Sequence, residues 1–394
     1  MKYLYRNPKG NIVVRKPKTT KRTIRRTSSP YRIKNNLNNM QNKEMYLFTL
    51  LLLATIAITS CNPSSKKEFT DFPITIEMSE FPYVEQKIEN CFNPYHITIH
   101  DTTLIIHDTR DVNMFLKFYS TSSFNLLSGF GIEGRGPNEY INPYHIKIFP
   151  EYNTLWFVET PKKKMHKFDL SEILNNFYAQ PQISFNLNHN ILGFLDYYQI
   201  TDSTILVNAT TTDALFTEID SNGTAIKKYG KNNHKLEFQK QFTYNQFYKN
   251  FFAVSDTTAV LAYLFHNKLS LYNFKTDVVT DIKGYNYQSI FPEITETGNI
   301  SNNYRAFSSK VIQYREHFLV LYMGSPFFDF ETMTSKSSKT MLVFDKNLIP
   351  KCKIKFPLAI TNYTISADGK IYIIPDAFDG RLFIYDLEEI FFRI

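Results

Sequence analysis

The pentapeptide Asn93-Pro94-Tyr95-His96-Ile97 recurs as Asn142-Pro143-Tyr144-His145-Ile146, 49 residues further on. Each copy opens a short β-branched run, followed by a polar turn and a second apolar run. That second run is Thr103-Leu104-Ile105-Ile106 in one copy and Thr154-Leu155-Trp156-Phe157 in the other. Such a unit is too small to bury its own apolar residues. A chain built this way must stack like units against each other.

Looser copies continue the pattern. Tyr197–Ile200 leads through Asp202-Ser203-Thr204 into Ile205-Leu206-Val207, and Phe251–Val254 leads through Asp256-Thr257-Thr258 into Val260–Tyr263. Lys310–Tyr314 leads into Phe318–Tyr322, and Tyr363–Ser366 leads through Asp368-Gly369 into Ile371–Ile374. The second runs start at Leu104, Leu155, Ile205, Val260, Phe318 and Ile371, with spacings of 51, 50, 55, 58 and 53 residues. Third and fourth runs follow in most units, for example Met114–Tyr119 and Asn125–Phe130. Four short strands at this interval predict an all-β chain, a six-bladed β-propeller. The 35 Phe and 26 Tyr suit the wedges between twisted blades. Helix is expected only in pieces such as Ser171–Phe177, capped near Leu170-Ser171-Glu172. The sixth unit runs out after Leu382–Tyr385. The orphan run Phe72–Met78 is therefore expected to supply its outer strand and close the ring, leaving no edge open.

Ahead of the repeats lies a different kind of sequence. Tyr46–Ile58 is 13 residues of mainly apolar character, shorter than the roughly 20 a spanning helix needs. It has Lys43 before it and ends in Ile58-Thr59-Ser60-Cys61, which resembles the lipobox of a bacterial lipoprotein signal peptide. On that reading residues 40–60 are the signal peptide and Cys61 carries lipid. Residues 61–70 form a polar linker, and 71–394 the propeller. Residues 1–39 are expected to be a basic leader, either disordered or, if translation starts at Met40, not translated. They hold 12 of the 45 Lys and Arg and no acidic residue, so the net charge of +8 becomes −4 once they are removed. A nucleic-acid partner is not expected.

Beyond the presumptive lipid site, Cys91 and Cys352 remain, 261 residues apart. An exported protein permits a bridge between them, and two separate buried thiols fit equally well. The residues that invite a binding role fall in two groups. The first is Gly129–Tyr140, the densest glycine cluster, where Arg135 and backbone N–H groups suit an anion and where Arg135 and Glu139 are placed to pair. The second is the duplicated motif, which puts Tyr95, His96, Tyr144 and His145 at matching inner-strand starts. There the rings offer a stacking surface and the imidazoles a metal or acid–base pair. Against the latter, the other four units lack the histidine, so blade packing accounts for it as well. No catalytic residue, nucleophile elbow, zinc spacing, metal site or cofactor is implied.

The segment Gly134-Arg135-Gly136-Pro137-Asn138-Glu139-Tyr140, following a lipobox and set among repeated strands, resembles the TolB-like six-bladed propeller lipoproteins. Relatives usually carry glycine where this chain has Asn138. The resemblance implies a propeller over about 71–394, an envelope location and a general binding role. The expectation is a lipid-anchored module on the periplasmic side of the outer membrane. Its partners would be the membrane, through Cys61, and an envelope protein or glycan. The alternative is a propeller hydrolase, lactonase or lyase acting on carbohydrate, for which Glu139, Asn208 and Asp376 are candidate calcium ligands.

Overall fold

The second strand of every repeat is apolar on both faces, and the arrangement of the sheets shows why. In Thr103–Asp108, Leu104 and Ile106 pack to one side with Tyr372, Ile374 and Leu382, while Ile105 packs to the other with Phe115, Phe157 and Phe168. In Thr154–Glu159, Leu155 and Phe157 join that second cluster, and Trp156 and Val158 join Tyr197, Ile205 and Val207. The alternation passes from blade to blade through Leu206 with Leu261, Val260 with Phe318, and Leu319 with Ile371. It returns to the start through Tyr372. Side chains of period two, buried on both faces, give one apolar seam between each pair of neighbouring sheets. Among the described residues six such seams close into a ring.

The computed structural model describes residues 3–6, 12–15, 68–69, 71–187, 194–209, 213–231, 248–255, 257–284, 294–296, 300–301, 304–326, 338–376 and 378–392. Contacts divide the chain into residues 1–65 and 66–394. In the first unit Tyr3–Arg6 pairs with Ile12–Arg15 in an antiparallel ladder. Met40, Cys61 and the apolar run before it lie outside the described residues. No helix among those described is long and apolar enough to cross a membrane.

In the second unit blade one is Pro94–His100, Thr103–Asp108, Leu116–Ser120 and Leu126–Phe130, paired in that order. Blade two is Pro143–Phe149, Thr154–Glu159, Lys164–Asp169 and Ile183–Asn186, and blade three runs from Phe194–Gln199 to Ala225–Lys231. Blade four spans Asn250–Val254 to Val278–Gly284. Blades five and six form one eight-stranded sheet because the 16-residue strand Pro350–Ile365 serves both. Its first part is the outer strand of blade five, against Ser338–Asp345, and its last part is the inner strand of blade six, against Lys370–Pro375.

The ring is closed from the amino end, but by a different strand from the one expected. Ile74–Glu77 lies parallel on Cys352–Lys355, adding a strand to blade five. Tyr83–Lys87 completes blade six, antiparallel to Arg381–Asp386. The more apolar run goes where it is covered, Ile76 and Met78 being buried with Ile354 and Phe356. The rim of the last blade takes a strand that is mostly exposed, with Glu85 paired to Arg381 at 3.1 Å. One step earlier, Glu68–Phe69 lies parallel on the outer strand of blade four. Successive pieces of the amino-terminal segment thus lie on blades four, five and six.

The short helix is Leu170–Asn175, and its cap is Asp169 rather than a residue of Leu170–Glu172. The Asp169 carboxylate accepts from the Glu172 N–H at 2.9 Å, as an N-cap aspartate does. Cys91 and Cys352 are separate free thiols, and burial pushes both up to about 12. Neither is a ready nucleophile.

Candidate functional site: a polar ring in the axial channel

Register places one residue from each inner strand at a common level. His96 stands opposite His107, Tyr144 opposite Val158, Asp196 opposite Asn208 and Asn250 opposite Tyr263. Lys310 stands opposite Leu321 and Asn362 opposite Ile374. Each partner is the third residue beyond the second-strand starts that define the repeat. All six inner-strand residues are polar, whereas four of the six residues opposite them (Val158, Tyr263, Leu321 and Ile374) are apolar or aromatic. Polar residues are retained there because inner strands face the axis, where no neighbouring sheet covers them.

Two acidic residues set the entry to the first two of these strands. Asp108 ends the second strand of blade one, and its carboxylate accepts from the N–H groups of Phe92 (2.7 Å) and Asn93 (2.9 Å). It is also paired at 2.8 Å with the fully buried Lys117. Burial pulls Asp108 upward, but Lys117 and these N–H groups hold it below the usual carboxylate range. Glu159 does the same one blade on. It accepts from Ile141 N–H at 2.8 Å and pairs with Lys162 at 2.7 Å. Both acids fix the backbone just ahead of the duplicated Pro-Tyr-His.

The two copies then meet. The Tyr95 and Tyr144 hydroxyls hydrogen-bond to each other, with ring centroids 5.6 Å apart, and Tyr95 is 46% exposed. Burial, then Tyr144, pushes the Tyr95 phenol upward. His145 adopts φ +50° where the strand is irregular, and its ring packs on Tyr144 at 4.5 Å. Both histidines are held neutral. Burial lowers His145 to about 3, helped by Lys249 and Lys147. Burial also lowers His96 well below its ordinary value, helped by Lys310, His107 and Lys147.

Lysines cross the ring from blade to blade. Lys147 Nζ reaches Asp196 Oδ1 and the Tyr197 carbonyl, each at 2.8 Å. Three blades away Lys310 Nζ donates to Asn362 Oδ1 (2.6 Å) and the Tyr363 carbonyl (2.5 Å), with the Ile97 carbonyl at 3.5 Å. The same constellation of lysine, then Asx-Tyr on the next blade, is built twice. In the second copy the carboxylate is replaced by an amide, and Lys310 makes no ion pair among the described residues. Burial, and secondarily Lys147, lowers its ammonium to about 7.

The other candidate group is arranged differently. Glu139 Oε2 accepts from the Gly136 N–H at 2.6 Å, and Ile132–Glu133 pairs in parallel with Glu139–Tyr140. A Cβ on Gly134 would come within 2.1 Å of the Glu139 carboxylate, so a larger residue there would displace that side chain from its place on the loop. The Glu139 carboxylate is thus folded onto its own loop and is not paired with Arg135. Arg135 is exposed and makes no ion pair among the described residues. Asn138, at φ +61°, takes a left-handed turn of the kind that favours glycine or asparagine. Asn208 is buried between blades, donating to the Leu215 carbonyl at 2.7 Å and accepting from Asn250 at 2.9 Å. Among the described residues no group of three or more His, Cys, Asp or Glu side chains is placed to hold a metal ion. A hollow of about 500 Å³ opens at the seam of blades six and one, lined by Lys87, Cys91, Arg110 and Asp379, and no ring residue lines it.

The structure brings Tyr95, Tyr144 and His145 together, places His96 next to Tyr95 on the inner strand of blade one, and leaves Arg135 and Glu139 on a separate loop. Sequence reasoning missed Lys147, Asp196, Lys310 and Asn362. The available signal was an Asx-Tyr pair about one repeat after an inner-strand lysine, present at Asp196-Tyr197 and again at Asn362-Tyr363.

Six radial blades, one apolar seam per neighbour and a polar axis define a six-bladed β-propeller. The chain belongs to the family described as TolB-like 6-blade propeller-like, which matches residues 86–368. Among solved structures it is similar to a protein of Bacteroides fragilis NCTC 9343 described as exported. That match has 15% identity and a TM-score of 0.53, covering 81% of this chain and 98% of the other. It is also similar to a DUF4221 family member from Bacteroides vulgatus at 10% identity and TM-score 0.52, covering 77% and 96%. No curated protein matches the chain.

Proposed function

We propose that this protein is an exported propeller, held to the cell envelope by lipid on Cys61, that binds a protein or glycan ligand at the channel mouth of blades one and two. The observation that carries the reading is the Tyr95–Tyr144 pair. An exposed tyrosine ring, fixed by a hydroxyl partner, is a stacking surface obtained at little entropic cost. The neutral imidazoles beneath it add hydrogen-bonding groups without charge. Binding is favoured over carbohydrate hydrolysis because, among the described residues, the site assembles no pair of carboxylates. Glu139, the acid of the candidate set, is tied to its own loop.

The location rests on the short apolar run ending at Ser60-Cys61 and is supported by the exported description of a similar fold. Full-length chain made in a bacterial host with labelled palmitate will take up label, and Cys61→Ala will not. Equal labelling of both removes the anchor from the reading. For the binding role, full-length protein is screened on glycan and peptide arrays. Retention that falls at least about tenfold in Tyr95→Ala supports the mouth as the binding face, about 1.4 kcal/mol. Retention unchanged in Tyr95→Ala and Tyr144→Ala overturns it.

A further inference from the structure

We propose that the channel binds an anionic group, a carboxylate or a phosphate carried by the ligand, at the level of Lys310, beside His96 and Lys147. The inference deepens the proposed function and rests on the channel mouth being the binding face.

The argument compares the two lysine constellations of the same chain. Lys147 and Lys310 come from inner strands of blades two and five, and each reaches the Asx side chain and Tyr carbonyl of the following blade. At Asp196 the lysine meets a carboxylate 2.8 Å away, so that seam carries no net charge. At Asn362 it meets an amide oxygen, so the ammonium is solvated by three carbonyl oxygens and neutralised by none. A buried cation without a counter-charge is costly, and the chain offers no acid of its own among the described residues to offset it. A carboxylate or phosphate arriving through the mouth would supply the missing charge.

The surroundings select the same chemistry. Lys147 is near enough to lower both Lys310 and His96, but its own charge is met by Asp196, so the unmatched charge at this level is that of Lys310. His96 is neutral and keeps ring nitrogens for hydrogen bonding rather than a second charge. Asp196 is engaged on both oxygens, by Lys147 and by the Phe252 N–H at 3.2 Å, so it is not free to move onto Lys310. Lys310 and His96 are each intermediate in exposure as residues, while their charged or polar ends are the buried part.

The test is thermal unfolding of the full-length protein titrated with inorganic phosphate in one arm and acetate in another. Phosphate stabilises most proteins by exclusion from their surface, so the readout is the excess over Lys310→Gln. The expected result is a saturable rise in Tm for the wild type that is absent in Lys310→Gln and restored by Lys310→Arg. The exposed Lys346→Gln should behave as wild type. The arm that saturates at lower concentration names phosphate or carboxylate. Equal, non-saturating slopes in wild type and Lys310→Gln overturn the proposal, as does a Lys310→Gln response matching the wild type. If Lys310→Gln does not fold, Lys310→Arg decides, since a permanent cation must keep the saturable response.

Failure here is separable from failure of the mouth. Array binding lost in Tyr95→Ala with flat anion titrations removes only the anion site. Saturable phosphate binding with array binding indifferent to Tyr95 removes only the stacking face.

Discussion

The seams between blades two and three and between blades five and six are built on one plan and differ by one functional group. Lys147 crosses to Asp196 and the Tyr197 carbonyl, whereas Lys310 crosses to Asn362 and the Tyr363 carbonyl. What lies beyond the Asx explains the choice. Asp196 turns its second oxygen to an N–H, that of Phe252 on blade four. Asn362 turns its Nδ2 to a carbonyl, that of Tyr95 on blade one, at 2.7 Å. An acceptor is needed in one seam and a donor in the other, and only the amide donates. The neighbouring blade thus dictates Asn362, and the uncompensated lysine follows. The lesson is that a backbone contact at one seam sets the charge of the channel.

The comparison can be broken most sharply at Asp196. Asp196→Ala leaves the partly buried Lys147 without its counter-charge and the Phe252 N–H without an acceptor. It should cost about 3–5 kcal/mol by urea unfolding at neutral pH. Asn362→Ala removes hydrogen bonds to Lys310 and the Tyr95 carbonyl but no ion pair, and should cost about 1–3 kcal/mol. Equal costs would show that the carboxylate is not what distinguishes the seams.

The two lysines should also respond with opposite sign. Lys147→Met strands Asp196 and destabilises by about 2–4 kcal/mol, while Lys310→Met at pH 6 is neutral or stabilising. Lys310 has a folded value of about 7, below its ordinary 10.5. Between those values the unfolded chain keeps a proton that the folded chain has released, so stability rises with pH through that window. Lys147, His96, Asn362 and the Tyr363 carbonyl are the groups that face it. Unfolding followed from pH 6.5 to 10 should show this rise in the wild type and a flatter curve in Lys310→Met. A wild-type curve that falls over that range would contradict the burial of a lone ammonium.

The smallest effect is expected at the mouth, outside both seams. Tyr95→Phe removes one hydroxyl of an exposed pair and should change stability by about 1 kcal/mol or less. A much larger loss would mean that the tyrosine pair, and not the lysines, holds the axis together.

How much of this was legible follows from what each residue contacts. The second strands show their period plainly because both faces are apolar, and their six starts mark the blades correctly. The duplicated Asn-Pro-Tyr-His gave away the meeting of Tyr95 with Tyr144, since matching places on adjacent blades lie side by side. Phe72–Met78 is the legible orphan run before blade one because it is apolar, whereas the strand that closes the ring, Tyr83–Lys87, is mostly solvated and shows no such signal. Lys310 escaped notice because its significance depends on Asn362 and on the Tyr95 carbonyl. Both are distant in sequence and invisible to any local pattern. The shared strand Pro350–Ile365 carries no break between its two duties, so the border of blades five and six is a register change rather than a loop.

The amino-terminal pieces Glu68–Phe69, Ile74–Glu77 and Tyr83–Lys87 are synthesised first, yet their partners lie at Val278–Gly284 and beyond. Early residues must wait, unsatisfied, until nearly the whole polypeptide has emerged and found its register. Contacts of such long sequence separation are slow to form and leave sticky edges exposed meanwhile. Loss of a few carboxyl-terminal residues would therefore injure the opposite terminus, turning Tyr83–Lys87 into a protease-sensitive tail. Limited proteolysis of a chain ending before Arg381 should cut first within residues 83–87.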